Sequence, residues 1–213
     1  MNDSENSERK AKITRVTNET EITVEIELYS DNCGGGADST TAGATAISTG
    51  SGFLNHMLTL FAFHGGFSLS IGARGDTDVD YHHITEDIGV VLGQSIKKAI
   101  GDAKGITRYA SAFLPMDETL VLIALDISGR AYLNYDVEIT APKVGDFDTE
   151  LAQEFLMGLC RALGLTLHVK LFNGANAHHI IEAIFKGLGR ALAEAVRPDP
   201  ARRGAIPSSK GLL

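Results

Sequence analysis

DYHHITEDIGVVLG at residues 80–93 and NAHHIIEAIFKGLG at residues 176–189 carry four of the chain's seven histidines as two adjacent pairs, each followed three residues later by glutamate. Setting His178 on His82, an offset of 96 residues, aligns HHITEDIGVVLGQSIKKAI with HHIIEAIFKGLGRALAEAV. Both histidines match, together with Ile84/Ile180, Glu86/Glu182, Ile88/Ile184, Leu92/Leu188, Gly93/Gly189 and Ala99/Ala195. The same offset sets GFSLSIGARGDTDVDY against ALGLTLHVKLFNGANA, so the strand ahead of each helix belongs to the repeat as well. The chain reads as two copies of one β/α unit, joined near residue 105.

Outward from this anchor, Ile84, Ile88, Val91, Leu92, Ile96 and Ile100 recur at helical spacing, as do Ile180, Ile184, Leu188, Leu192 and Val196. Each stripe predicts a helix packed on a sheet. Alternation in ITRVTNETEITVEIELY and in LVLIALDISGRAYLNYDVEI predicts antiparallel strands with one wet face. GFLNHMLTLFAFHGG and DTELAQEFLMGLCRALG predict one additional helix per half. The expected class is α+β, with two tandem similar β/α repeats, each a mainly antiparallel sheet covered on one face by two helices. The expected divisions are a flexible N-terminal segment at 1–12, a first half at 13–104, a second half at 105–197 and an extended basic tail at 198–213. SDNCGGGADSTTAGATAISTG, residues 30–50, predicts a long flexible loop. Prolines in RPDPARRGAIPSSKGLL stop the last helix.

At 44% hydrophobic and 22% charged, the composition is that of an ordinary globular chain, and no apolar run approaches a bilayer span. MNDSENSERKAK is polar and lacks the apolar segment of a secretory signal, so a cytosolic location is expected. Cys33 and Cys160 lack metal or redox spacing and read as ordinary thiols. A formal net charge of −8 argues against nucleic acid or a membrane surface as partner. Any anionic ligand must therefore be held by local basic residues.

Successive helical residues diverge by about 100°, so His82 and His83 address different points, whereas Glu86 shares a face with either. Each HHxxE unit can give one histidine and its carboxylate to a metal while the other histidine reaches a second site, a chemistry akin to the zinc HExxH helix. His56 and His168 are candidates to complete two sites of three histidines and one glutamate, a set suited to divalent transition metals with positions left open for substrate. Sites inside one chain and metals shared between subunits fit this pattern equally well, and a symmetric homo-oligomer is expected. For an anion, the candidates are Arg108 in GITRYA, Arg130 in DISGR, Lys186 on the second metal helix and Lys210 in IPSSKG. PSSKG offers hydroxyls, a cation and flexible backbone together, as a phosphate requires.

GFLNHML, DYHHITEDIGVVLGQ, GITRYA, PMDETL, DISGRAYL, GDFDTELAQEF, LTLHV, NAHHIIEAIFKGLGRAL and IPSSKG follow one another in an order and spacing that resemble the imidazoleglycerol-phosphate dehydratase family. The resemblance covers nearly the whole chain after residue 12. It implies a fold of the ribosomal protein S5 domain 2-like kind. It also implies dehydration of D-erythro-imidazole glycerol phosphate to imidazole acetol phosphate and water in histidine biosynthesis, with two manganese ions per active site. Assembly from trimers into a 24-subunit shell, with sites between subunits, is implied as well. By position, His56, His82, His83, Glu86, His168, His178, His179 and Glu182 match the family's metal ligands. Arg108, Arg130, Lys186, Ser208 and Lys210 match its substrate-phosphate residues, and Glu19 matches an acidic residue for proton transfer. Asn55 stands where the family usually has aspartate, Thr59, Leu60 and Phe61 replace a common DQL, and the glycine-rich loop is longer than usual.

The implied reaction removes a hydroxyl from the carbon bearing imidazole and a proton from the next carbon, which no carbonyl acidifies. Divalent metals on both ring nitrogens would make the ring proton easier to lose, and a metal-bound imidazolate could then expel the hydroxyl by conjugation. The nitrogens point apart, which explains a duplicated metal unit. Glu19 is the candidate acid/base, with Glu86 or Glu182 able to share proton transfer. His64 has no assigned role. Two other readings use the same residues: a dinuclear hydrolase with metals about 4 Å apart, and a metal-assembled scaffold without turnover.

Overall fold

The computed structural model describes residues 9–28, 45–202 and 204–211. Alternation builds the first sheet. In β1 (Lys10–Val16) and β2 (Thr20–Glu27) the hairpin register sets Ile13 opposite Val24. Ile22, Val24 and Ile26 turn inward and are fully buried, while Glu21, Glu25 and Glu27 face out. β3 (Ala46–Ser48) and β4 (Ser68–Gly75) complete a sheet ordered β1-β2-β4-β3, antiparallel except at β3–β4. The second half repeats the plan with β5 (Tyr109–Met116), β6 (Thr119–Ile127), β7 (Tyr132–Asp136) and β10 (Leu165–Asn173), ordered β5-β6-β10-β7 with only β7–β10 parallel. β8 (Lys143–Val144) and β9 (Phe147–Asp148) form a separate ribbon. The two tandem β/α halves are thus present, with matching strand order.

Four helices lie between these sheets: α1 (Gly52–Gly65), α2 (His82–Ile100), α3 (Leu151–Leu163) and α4 (Ala177–Val196). The HHxxE helices cover their own sheets, α2 on β1 and β2, α4 on β5 and β6. The additional helices stay against their own sheets, α1 at β3 and α3 at β7 and β10, and pack across the halves on the other HHxxE helix, α1 on α4 and α3 on α2. Each sheet thus carries both helices of its own half, as expected, and the two halves join through the helix pairs. Small residues permit this packing across the halves, because backbones can approach closely only where no Cβ intervenes. A Cβ at Gly89 would stand 2.3 Å from the Phe155 carbonyl oxygen, and one at Gly189 2.4 Å from that of Phe61. One apolar core results, drawing Phe61 and Phe67 from the first half and Phe155 and Phe185, stacked at 5.0 Å, from the second.

Three boundaries differ from expectation. β1 begins at Lys10, inside the segment assigned to 1–12, and residues 1–8 of that segment lie outside the described residues. β3 sits inside the expected loop at 30–50, where Ala46–Ser48 pair with Ser70–Gly72; Cys33 and the rest of 29–44 lie outside the described residues. The tail is not simply extended, since Pro200–Arg202 form a 3-10 turn. It also folds back on the joint between halves: Gly105 N donates to Ala205 O at 2.8 Å and Asp199 N to Gly105 O at 2.7 Å.

The outer faces of the sheets differ. Sheet 1 presents Lys10, Lys12, Glu21, Glu25 and Glu27. Sheet 2 presents Tyr109, Phe113, Tyr132 and Phe172, each at least half exposed, with the Phe113 and Phe172 rings 5.9 Å apart. Among the described residues no helix is long and apolar enough to cross a membrane.

Candidate metal centre

The start of α4 builds the centre. Asn176 caps the helix by accepting from the His178 and His179 backbone N–H groups, so both histidines enter at a fixed angle. His178, Glu182 and Lys186 then recur at intervals of four along one ridge. His178 Nε2 lies 3.0 Å from Glu182 Oε2. From the partnered helix α1, His56 Nε2 comes within 3.8 Å of the same oxygen. One ligand atom from each of His56, His178 and Glu182 lies within 4.8 Å of the others, the one such group among the described residues. Phe53 meets the His178 ring edge-on at 5.2 Å and leans on Phe147 at 5.3 Å, which walls the cluster on one side.

Glu182 is almost wholly buried, and Lys186 forms an ion pair with its Oε1, which turns Oε2 toward the histidines. Burial opposes the Glu182 charge, but Lys186 and His178 together hold its carboxyl below the usual range. Two imidazole nitrogens and one carboxylate oxygen suit a borderline divalent ion and leave further coordination positions open. The residues therefore fit the expected metal.

The remaining expected ligands do not join this cluster. His179 points away, its ring at 81° to that of His178, and its Nδ1 lies 2.7 Å from Glu118 Oε2. His83 Nδ1 lies 2.9 Å from Asp76 Oδ2 and 3.8 Å from Glu19 Oε2. Both rings are held above their usual pKa first by these hydrogen bonds, and the His179 bond holds Glu118 far below the carboxylate range. The His82 and His83 rings stand at 88°, and Glu86 Oε1 accepts from Arg161 Nη1 at 3.3 Å. His168 is exposed on the outer face of β10, 5.7 Å from the Tyr132 ring, while its neighbours Leu167 and Val169 are fully buried on the other face. His82, His83, Glu86 and His168 thus form no second cluster among the described residues.

The basic residues also divide. Arg108 is buried: Nε and Nη2 donate to the two Asp126 carboxylate oxygens at 2.7 and 3.1 Å, and Nη1 donates to Pro207 O at 2.6 Å. It ties the tail to the edge of sheet 2. Beyond that tie, Lys210 N donates to Ser208 Oγ at 3.2 Å and Gly211 N to Ser208 O at 3.0 Å, so SSKG is a turn that presents Ser208 and Lys210 together. Arg130, on the β6–β7 turn, is exposed. Lys186 is committed to Glu182. Asp76, Glu118 and Asp126 were not foreseen as partners of the site. A trace of one was present, since Glu19-Thr20 in TNET and Glu118-Thr119 in MDET occupy the same hairpin turn of the repeat.

The imidazoleglycerol-phosphate dehydratase family model matches residues 49–192. The protein of that name from Xanthobacter autotrophicus is 54% identical over 205 residues, covering 96% of this chain and 98% of the relative. The chain belongs to the imidazoleglycerol-phosphate dehydratase family. A second dehydratase relative, from Desulforamulus reducens, is 51% identical over the same coverage of 96% and 98%. Among solved structures, the Staphylococcus aureus dehydratase superposes with TM-score 0.75 at 42% identity, over 89% of this chain and 99% of that one. The Pyrococcus furiosus enzyme in complex with (S)-C348 gives 0.78 at 39% identity, over 94% and 100%. The expected class, a hydro-lyase of histidine biosynthesis on two similar β/α halves, stands.

Within the dehydratase framework, the departures from the family pattern have structural tasks. Asn55 Oδ1 accepts from Thr49 N at 2.9 Å and Thr49 Oγ1 at 2.8 Å, which anchors α1 one residue before His56. Thr59 Oγ1 donates to Asn55 O at 2.8 Å, Leu60 packs at the core edge and Phe61 is fully buried.

Proposed function

We propose that the chain dehydrates D-erythro-imidazole glycerol phosphate to imidazole acetol phosphate and water, with two manganese ions per active site and with sites completed by neighbouring copies of the chain. The convergence of His56, His178 and Glu182 carries the reading, in a chain whose dehydratase relatives span its length. His82, His83, Glu86, His168 and His179 are the further ligands. When bound, the ions would supply Lewis-acid polarisation of both ring nitrogens, so that the departure of hydroxide is driven from a metal-bound imidazolate.

The chain's own groups do the rest. Glu182 is engaged by Lys186 and two histidines and Glu86 by Arg161, which suits both to holding ions. Glu19 has an exposed carboxylate 3.8 Å from His83 Nδ1, which suits it to moving the proton of the carbon next to the one losing hydroxyl. Ser208, Lys210 and Arg130 are to bind the phosphate, with Lys186 neutralising the Glu182 side of the site. Arg108 holds their turn in place and keeps two of its five N–H donors for the phosphate. Fixing the phosphate decides which carbon meets Glu19.

The exposed aromatics of sheet 2 support assembly, since side chains of this kind dominate interface cores. Copies meeting on this face would bring His168 to a neighbour's cluster, and trimers built into a 24-subunit shell are the proposed state. The test is product formation by metal-stripped protein with and without Mn2+, with particle mass followed in the same samples. Turnover and assembly that return together support the proposal; full assembly without turnover refutes the dehydratase.

A further inference from the structure

Each HHxxE unit gives its second histidine a carboxylate at Nδ1: Asp76 at 2.9 Å from His83 and Glu118 at 2.7 Å from His179. A carboxylate only accepts, so each Nδ1 carries the hydrogen, and in the neutral ring each Nε2 is left with a lone pair. That is the form a metal ligand needs at Nε2, and such partners commonly fix ring direction. Glu118 is itself pinned. Its Oε1 accepts from Asn176 N at 2.9 Å and Ala175 N at 3.2 Å, the two residues leading into α4, and from Thr119 Oγ1 at 3.2 Å. One side chain on the β5–β6 turn therefore sets both the entry of α4 and the orientation of His179. Asp117, on the same turn, comes no nearer than 3.9 Å to His179 Nε2.

The repeat makes the comparison informative. Glu19 and Glu118 occupy equivalent hairpin turns, each beside the second histidine of its unit. In the second half the glutamate holds the ring. In the first half Asp76 holds the ring instead, and the Glu19 carboxylate stands 3.8 Å off with no hydrogen-bond donor among the described residues. We infer that Glu118 and Asp76 are positioning residues that set the tautomer and direction of His179 and His83 for metal binding, and that Asp76's occupation of His83 Nδ1 is what releases Glu19 for proton transfer. The inference rests on the reading of His179 and His83 as ligands.

The test compares Glu118→Gln, Asp76→Asn, Glu19→Gln and His179→Ala in the full chain. It reads Mn2+ affinity from the free-ion electron paramagnetic resonance signal, the thermal midpoint of metal-free protein, and turnover. In Glu118→Gln the side-chain oxygen still accepts from Ala175 and Asn176, but the amide can only donate to His179 and so forces the wrong tautomer. Mn2+ affinity should fall about ten- to hundredfold while the metal-free midpoint stays near wild type. Asp76→Asn should do the same, and Glu19→Gln should abolish turnover at unchanged Mn2+ affinity. Wild-type affinity in Glu118→Gln, with His179→Ala weakened, would overturn the positioning role and leave the ligand reading intact. Wild-type affinity in His179→Ala would overturn the ligand reading and the inference with it. An affinity loss matched by a lowered metal-free midpoint would make Glu118 a clamp on α4 alone and overturn the inference. Equal weakening of Mn2+ binding by Glu19→Gln would overturn the division of labour in the first half.

Discussion

Replacing Arg108 by methionine removes a guanidinium that links Asp126 to the C-terminal tail. The Arg108 side chain is 9% exposed and that of Asp126 18%, so the substitution leaves a carboxylate that is mostly out of water and has lost a two-point partner. Breaking a buried pair from one side costs about 3–5 kcal/mol, and the residual water at Asp126 argues for the lower end, about 3 kcal/mol. The backbone at 108 is left-handed, with φ of 78°, and methionine is no better suited to it than arginine, so strain does not change the sum. A chain of this size exposes much surface on unfolding, and with a urea slope of about 2–3 kcal/mol/M the midpoint should fall by roughly 1 M. Far-UV circular dichroism is the natural assay, since the chain has no tryptophan, and protein concentration must be fixed because any self-association would add to the apparent stability. Adding Asp126→Leu to Arg108→Met removes the stranded charge and should restore most of the loss. A cost under about 1 kcal/mol for the single substitution, or a double variant no more stable than the single, would show that Arg108 and Asp126 are not a buried pair of this strength. A second readout, faster proteolysis within the tail, should persist in the double variant because the bond to Pro207 O is gone in both.

Gly189→Ala should drive α1 and α4 apart, because the new Cβ would stand 2.4 Å from Phe61 O; we expect a loss of about 1–3 kcal/mol in thermal or urea unfolding together with weaker Mn2+ binding, since His56 rides on α1. Burial, with Lys186 and Arg190 nearby, holds the His64 imidazole below the ordinary histidine pKa of 6.5, so its contribution to stability is complete above that value and is lost as pH falls through the folded pKa. His64→Gln should therefore flatten the fall in thermal midpoint on acidification below 6.5, and an unchanged slope would count against it. Phe113→Lys combined with Phe172→Lys should reduce particle mass by light scattering without unfolding the chain, because both rings lie on the outer face of sheet 2.

The duplication was legible because a metal helix constrains its own sequence: His178 and Glu182 must be four apart to share a face, and the apolar stripe must follow the same turn. The pairing of α1 with α4 and of α3 with α2 across the halves was not legible. An amphipathic stripe says that a face is buried and not what covers it, and the trace that remains is glycine at 89, 93, 158 and 189, where backbones touch. β3 was missed because three residues of edge strand inside a glycine-rich stretch carry no alternation to read. His56 was a candidate because the two HHxxE units need further histidines, and the resemblance matched it to a ligand, since one histidine on an apolar helix has no spacing of its own. Glu118 lies 61 residues from the ring it holds, and no periodicity spans such a distance.

The place of His168 bears on the proposal that neighbouring copies complete the site. Leu167 and Val169 turn to the face of sheet 2 that the helices cover, so period-2 alternation puts His168 on the other. His178 and Glu182 belong to α4, which packs on the covered face. A sheet thus stands between these residues, and face-to-face layers pack about 10 Å apart, while a shared ion needs every ligand atom at roughly 2 Å. No rotamer of His168 closes that gap. An ion that used both would have to draw them from different copies, and the exposed Tyr132 beside His168 lies on the face that such a copy would have to meet.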